Sequence, residues 1–417
     1  MLILKEVVVK LYRRENYLRK IRGFYHADDI IKVITGVRRC GKSSLMQTIS
    51  EELRESGVKE ENIIYLDLDK RGNKSITTVE ALEKRIDELT TAKGLKYLFV
   101  DEIQNVKDFE ILINGYRTDG DWSIFLTGSN SYLLSGELMT KLTGRYLEFE
   151  MFPLSFDEYE DMKAFYNKPV DPNSIQELKN YILGSGFPRT IFLDDTADKR
   201  TYVQGVIKER FEKDIRKRVK IRKKETFELV RQYIINNFGA TTSINNICEE
   251  LKKGGNSISK ATISRYIKAL VDAKILYVCD RFDMKSKKML SGEKKYYLSD
   301  LGFYYADNTN NEINYGPVLE NIVFTYAKSK DCSVSVGRIG KLECDFITRN
   351  REQNYAYIQV AYTILASKET EDREYRPLET ITDNYPRYVI TTDLLFQRRS
   401  GISHVNLMDF MKEGNEF

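Results

Sequence analysis

Histidine is nearly absent from this chain: two occur among 417 residues, and the five cysteines, at 40, 248, 279, 332 and 344, form no CxxC pair. With no HxxxH spacing either, a structural zinc is excluded, and scattered thiols without a pairing framework suit a reducing compartment. No apolar run approaches the ~18–20 residues that a membrane span needs. The apolar stretches, such as Tyr97-Leu98-Phe99-Val100, are strand-sized. The N-terminus, MLILKEVVVKLYRREN, meets charge early and offers no small-residue cleavage site, so no signal peptide is expected. Internal repeats and low-complexity tracts are missing too. The expectation is a cytoplasmic protein with no membrane partner.

What is present is apolar matter enough for real cores, 41% of residues against 31% charged, in a chain long enough for two or three domains. The net charge of +4 is uneven. Residues 208–299 carry 23 basic and 11 acidic side chains, a net of +12, which leaves −8 for the remainder. Such a segment fits a nucleic-acid footprint, with duplex DNA the candidate partner, and equally a solvated lysine-rich helix face. Charge alone does not choose.

The first two hundred residues alternate strand-like runs (31–35, 62–68, 96–100, 123–127) with helical patterns, the signature of a parallel sheet flanked by helices. Beyond residue 42, Leu45, Ile49 and Leu53 recur every fourth position as one apolar stripe. Gly184-Ser185-Gly186-Phe187-Pro188 interrupts this layer, and a basic helical stretch follows. From Phe227 the pattern becomes three short helices (227–238, 243–251, 259–271) and two strands (275–281, 294–298) around the polar tip 284–293. That order predicts a winged helix-turn-helix. Residues 318–327 read as helix, and 334–336, 344–347 and 355–360 as strands.

Gly36-Val37-Arg38-Arg39-Cys40-Gly41-Lys42-Ser43 is a full match to G-x-x-x-x-G-K-[ST], with a β-branched strand before it and an amphipathic helix after it. Glycines let the backbone wrap phosphates and aim N–H donors inward at the positive end of a helix. Lys42 then reaches the β- and γ-phosphates, and the Ser43 hydroxyl suits Mg²⁺. Ser44 closes the candidate binding set, and Arg38 and Arg39 are further phosphate contacts. This loop is expected to bind ATP with Mg²⁺.

Residues 96–102 form an apolar strand ending in two carboxylates. Asp101 fits the ligand that steadies Mg²⁺, and Glu102 the residue that polarises an attacking water, which implies hydrolysis rather than nucleotide storage. A second buried strand ends in Thr127-Gly128-Ser129-Asn130, where Asn130 or Ser129 suits a hydrogen bond to the γ-phosphate or the water. Downstream, Arg145 in Thr143-Gly144-Arg145 is a candidate arginine finger, in cis or from a neighbouring subunit, with a surface salt bridge the alternative.

The runs VITGVRRCGKSSL, YLFVDEIQNV, FLTGSNSYLL, LTGRYLEFEMFPLSFDEY and GSGFPR, in that order and spacing, resemble an AAA-type ATPase family of bacteria and archaea. Its members carry an N-terminal ATPase and a C-terminal domain of unknown function. The resemblance implies an additional-strand P-loop core, ATP as the nucleotide, Asn130 as sensor and Arg145 as finger.

In the winged-helix reading the recognition helix is 259–270. Its apolar Ile263, Ile267, Leu270 and Val271 face the core, leaving Ser259, Lys260, Thr262, Ser264, Arg265 and Lys268 for phosphates and base edges. Lys285, Lys287 and Lys288 on the wing and the arm RKRVKIRKK (216–224) add charge. Winged helices also serve as protein-interaction modules, so a protein partner or a second copy of the chain stays open. Further on, Glu320, Glu343-Cys344-Asp345 and Ile358-Gln359-Val360-Ala361 resemble the restriction-endonuclease-like core, which implies Glu320, Asp345 and Gln359 as its metal-binding positions. Ala361 stands where that pattern has lysine, and Lys341 or Lys368 are candidate substitutes, so a degenerate domain is expected rather than an active nuclease.

The resulting expectation is an α/β chain of three domains. Residues 1–200 are an AAA-type P-loop ATPase with a helical lid from about 155, 201–305 a basic helical linker and winged helix, and 306–417 the nuclease-like domain. The expected activity is a nucleotide-dependent switch, with an ATP-gated nuclease and a protein-binding regulatory ATPase as alternatives.

Overall fold

Strands buried on both faces need continuous apolar runs, and the N-terminal runs supply them. In the computed structural model of the chain, which describes residues 10–91, 93–128, 142, 144–210, 215, 221, 224–308, 312–415 and 417, they become β1 (Ile31–Gly36), β2 (Ile63–Asp67), β3 (Lys96–Asp101) and β4 (Trp122–Thr127). Every residue of β1, β3 and β4 is buried. β5 (Tyr146–Met151) completes the sheet in the order β2-β3-β4-β1-β5, with all pairings parallel. β4 thus lies between β3 and β1, the extra strand that the resemblance implies. The helix Lys42–Glu55 buries Leu45, Met46, Ile49 and Leu53.

Two compact units divide the chain: Met1–Gly36 with Gly41–Met151, and Val37–Cys40 with Phe152–Phe417. In the second, the helix Phe156–Phe165 opens on a Ser155/Glu158 capping box, and the helix Ser174–Gly184 on the Asn173 side chain. The Gly-Ser-Gly turn that follows is dictated by close packing around a buried carboxylate. Asp300 accepts from the backbone N–H of Gly186 at 2.8 Å and of Gly302 at 2.7 Å. A Cβ on Gly186 would stand 2.6 Å from the Leu154 carbonyl, and one on Gly302 2.6 Å from the Ser185 Cβ, so neither position has room for a side chain. Burial pushes the Asp300 carboxyl up to about 6, although Ser185 and the two N–H groups favour its charged form.

Helices Lys224–Asn236, Ile244–Lys253 and Lys260–Asp272 come next, the last two capped by Ser243 and Ser259 as their sequences predict. The hairpin β6 (Leu276–Asp283) and β7 (Lys288–Leu298) follows. After the helix Tyr315–Ser329 come β8 (Ser333–Ile339), β9 (Leu342–Arg349) and β10 (Tyr355–Val360). The helix Lys368–Glu379 then leads to β11 (Arg387–Thr391), β12 (Arg398–Arg399) and β13 (Ile402–Asn406). These strands form one eight-stranded sheet in the order β12-β13-β11-β10-β9-β8-β6-β7. Its joining seam is the parallel pairing of Arg281–Asp283 with Val336–Arg338. Strands from both sides of residue 305, where the sequence reading sets a domain boundary, therefore share one sheet.

Candidate functional site

The loop after β1 takes the shape that its glycines permit. Gly36 has φ 139°, Gly41 φ 109° and Arg39 φ 66°, a left-handed sequence that turns the chain back before Lys42 opens its helix. Val37 and Cys40 are buried, so the loop is anchored by its apolar members while Ser43 and Ser44 lie exposed in the first helical turn. The Lys42 side chain is buried and its ammonium donates to the Gly36 carbonyl at 3.0 Å. That places it over the cup formed by the loop. Arg38 and Arg39 both reach Glu209, at 3.2 and 2.8 Å, and Arg39 also lies over the Tyr202 ring. As phosphate contacts these two arginines would have to exchange a carboxylate for the phosphate.

Asp101 ends β3 and is buried. Its carboxylate accepts from the Thr127 hydroxyl at the end of β4. The same hydroxyl oxygen accepts the Glu102 backbone N–H at 3.2 Å. Thr127 thus orients both acids, a role that the sequence reading missed. Its own signal was available, a hydroxyl closing the apolar run Ile124–Leu126. Glu102 sits in left-handed geometry, φ 58° and ψ 44°, uncommon for a non-glycine residue and frequent at functional sites. Gln104 donates its side-chain amide to the Glu102 carboxylate. Ser129 and Asn130 lie outside the described residues.

Arg145 is not brought to the loop within the chain. It is exposed just before β5, its carbonyl accepts from the Ile31 N–H at 3.0 Å, and its guanidinium donates to Asn114 at 3.1 Å. Ile31 begins β1 and Gly36 ends it, so about 16 Å of strand rise separates Arg145 from the phosphate loop.

A second group of polar side chains is buried in the eight-stranded sheet. The Asp345 backbone N–H donates to the Gln359 side-chain oxygen at 3.3 Å, and an Asp345 carboxylate oxygen accepts the Val360 N–H at 2.8 Å. The Gln359 amide donates to Glu374 at 3.0 Å. Glu320 accepts from the Tyr297 hydroxyl at 2.7 Å and from the Lys295 ammonium at 3.1 Å. Lys295 also pairs with Glu343 at 3.1 Å. The expected substitutes are elsewhere: Lys341 is exposed, and Lys368 pairs with Glu371 and Asp372 on its own helix. Burial alone would lower the Lys295 pKa, but Glu320, Asp345 and Glu343 together raise it. Burial, then the Glu320 charge, raises that of Asp345 well above the usual carboxylate range.

The AAA domain family matches residues 28–160, and a domain of unknown function matches 175–312. An uncharacterized protein of Haemophilus influenzae is 32% identical over 403 residues, covering 95% of this chain and 98% of that one. An uncharacterized protein of Methanocaldococcus jannaschii is 29% identical over 356 residues, covering 83% and 78%. The chain belongs to one family with the Haemophilus protein, and its N-terminal domain is a P-loop AAA ATPase domain. Among solved structures, the Walker-type ATPase of Pyrococcus abyssi has a TM-score of 0.48 at 17% identity over 71% of this chain and 95% of that one. The Aeropyrum pernix ORC1 protein in complex with DNA has a TM-score of 0.34 at 15% identity over 73% and 94%.

Proposed function

We propose that this ATPase hydrolyses ATP as a nucleotide-dependent switch, with Lys42, Asp101 and Glu102 as its centre. The observation that carries the reading is the Thr127 hydroxyl, which bonds to Asp101 and to the backbone of Glu102 and so holds both acids at the strand ends beside the phosphate loop. Mg²⁺, when bound, supplies charge neutralisation between the β- and γ-phosphates. The exposed Ser43 hydroxyl and the Asp101 carboxylate would hold it, the carboxylate directly or through water. Lys42 binds the phosphates, Gly36–Ser44 donate backbone N–H groups, and Glu102 orients water. Asn130 is the proposed sensor. Arg145, a strand length from its own loop, acts in trans on the nucleotide of a second copy.

DNA is the proposed macromolecular partner, and the winged-helix reading of 224–298 supports it. Ser259, Lys260, Ser264, Arg265 and Lys268 are exposed along one helix while Ile263, Ile267 and Leu270 are buried, and Lys285, Lys287 and Lys288 are exposed at the hairpin tip. A protein partner is the second reading, favoured by the exposed run Leu394, Leu395 and Phe396 at 71, 73 and 53%.

ATP hydrolysis measured across protein concentration, with and without duplex DNA, tests the whole proposal. Turnover should require Mg²⁺, rise with protein concentration and be stimulated by DNA in a salt-sensitive way. Glu102→Gln should abolish it. Arg145→Ala should cost about a thousandfold or more, and mixing that variant with Lys42→Ala should restore part of the loss. Calorimetry showing no uptake of magnesium nucleotide overturns the reading.

A further inference from the structure

The nuclease-like order of helix Tyr315–Ser329, β8–β9–β10, helix Lys368–Glu379 and β11 implies a divalent ion held by Glu320 and Asp345. The side chains present do not fit one. Among the described residues, no three of His, Cys, Asp and Glu are grouped to hold a metal ion. Several of the oxygens that would serve as ligands are already engaged. Both oxygens of Glu343 are taken, one by Lys295 at 3.1 Å and the other by Arg281 at 3.0 Å. One oxygen of Glu320 carries two donors, Lys295 and Tyr297. Gln359, the third implied position, spends its side-chain oxygen on the Asp345 N–H and its amide N–H on Glu374. Ala361 brings nothing.

We propose that the Lys295 ammonium, delivered by β7, stands in the place of a divalent ion, bridging Glu320 and Glu343 so that this domain binds no metal and cuts no DNA. An ammonium is a compact point charge with three donors, able to satisfy two carboxylates at once in a buried site. Strand alternation sets it there: Lys294 points the other way and pairs with Asp280 at 2.7 Å, while Lys295 and Tyr297 share the face that meets Glu320. The cluster also ties the hairpin to the rest of the sheet. β6 supplies Arg281, β7 supplies Lys295, and both grip Glu343 on β9. The role is independent of nucleotide, so its failure leaves the ATPase reading untouched.

The test uses the full chain carrying Lys42→Ala, which removes competition from the phosphate loop, and follows Mn²⁺ uptake by electron paramagnetic resonance. The parent should take up no tightly bound Mn²⁺. Adding Lys295→Met should create one site, at least about tenfold tighter, the least that removing a like charge about 3 Å away is worth. Glu320→Gln should then remove that site. A foldable control is built in, because Lys295→Met with Glu320→Gln rebalances charge and should melt higher than Lys295→Met alone. The proposal is overturned by parent Mn²⁺ uptake that Glu320→Gln abolishes, by no gain of uptake in a folded Lys295→Met chain, or by a double variant that melts no higher than the single. Cleavage of labelled DNA by the wild-type chain that stops on Asp345→Ala overturns it as well.

Discussion

Lys32 on β1 and Lys295 on β7 are both buried strand lysines, one in each unit, at 0 and 6% exposure. Their surroundings differ in one respect. Lys32 donates to the carbonyls of Ala27 and Ile30 and to the Ser123 hydroxyl, at 2.5, 3.0 and 2.9 Å, with the Phe125 ring 4.7 Å away. Lys295 faces carboxylates. Burial dominates the first and lowers its pKa to about 7, with only distant help from Asp29 and Asp28 against it. In the second, three carboxylates outweigh the same penalty. Neutral acceptors satisfy the geometry of an ammonium but not its charge.

The sharpest way to break this comparison is to remove each charge. Lys295→Met leaves half-buried Glu320 without its cation and Glu343 with Arg281 alone, and should cost about 3–5 kcal/mol, read as faster amide exchange across 276–298 and 342–349. Lys32→Met leaves a hydroxyl and two carbonyls to find other partners and should cost about 1–3 kcal/mol at neutral pH. Trp122, the single tryptophan, lies buried on β4 and reports on the first unit. Equal costs for the two substitutions would erase the distinction.

Lys42 is a third buried lysine, and it sharpens the contrast by what it faces. Its ammonium donates to the Gly36 carbonyl, a neutral acceptor that a triphosphate can displace, where the carboxylates around Lys295 would resist exchange. Lys42→Ala should therefore lower ATP turnover by on the order of a hundredfold or more, as loss of one aimed donor to developing charge does. Lys295→Met should leave nucleotide binding within about twofold under conditions where the chain stays folded, since additive behaviour is expected of separate sites. Calorimetric titration of both variants with magnesium nucleotide checks the pair.

These three lysines also mark what could be read from the sequence. The phosphate loop was legible because its chemistry is contiguous: eight residues announce the strand end, the turn and the helix start together. Asp101 and Glu102 were legible for the same reason. Thr127 was not, because its partnership with Asp101 joins the ends of adjacent strands 26 residues apart. The distance of Arg145 from the loop depends on the register of β5 against β1, from Ile31 beside Tyr146 to Gly36 beside Met151, and register across a crossover leaves no local trace. Lys295 was hidden more deeply, since 295, 320 and 343 meet only once the hairpin joins the C-terminal strands. A local clue existed in the run Lys294–Leu298, where strand alternation forces one of two adjacent lysines inward.

The pH dependence of the first unit tests the Lys32 side directly. Its folded pKa of about 7 lies below the ordinary value of 10.5. Between those values the unfolded chain holds a proton that the folded chain has shed, so stability should rise with pH through that window. Below the folded pKa both states are protonated and the gain is lost. The full swing amounts to roughly a few kcal/mol. Because wild type gains stability across that window and Lys32→Met does not, the difference between them in Trp122-detected unfolding should widen between about pH 7 and 9.5, and a pH-independent difference would refute the assignment.

The smallest effect extends the comparison to the surface, where a cation already paired has less to offer a new anion. On the helix Lys260–Asp272, Lys268 pairs with Asp272 at 3.1 Å, an exposed contact worth little to stability. Yet that carboxylate stays beside any phosphate that Lys268 meets, whereas Arg265 lies over the Tyr266 ring and keeps its charge uncompensated by that contact. Each cation that neutralises a phosphate steepens the log–log salt dependence of DNA binding by about one unit. Arg265→Ala should therefore reduce the slope by about one unit and Lys268→Ala by less, with Lys268→Ala combined with Asp272→Asn showing whether the carboxylate causes the difference. Binding whose slope ignores both substitutions would move the DNA contact off this helix.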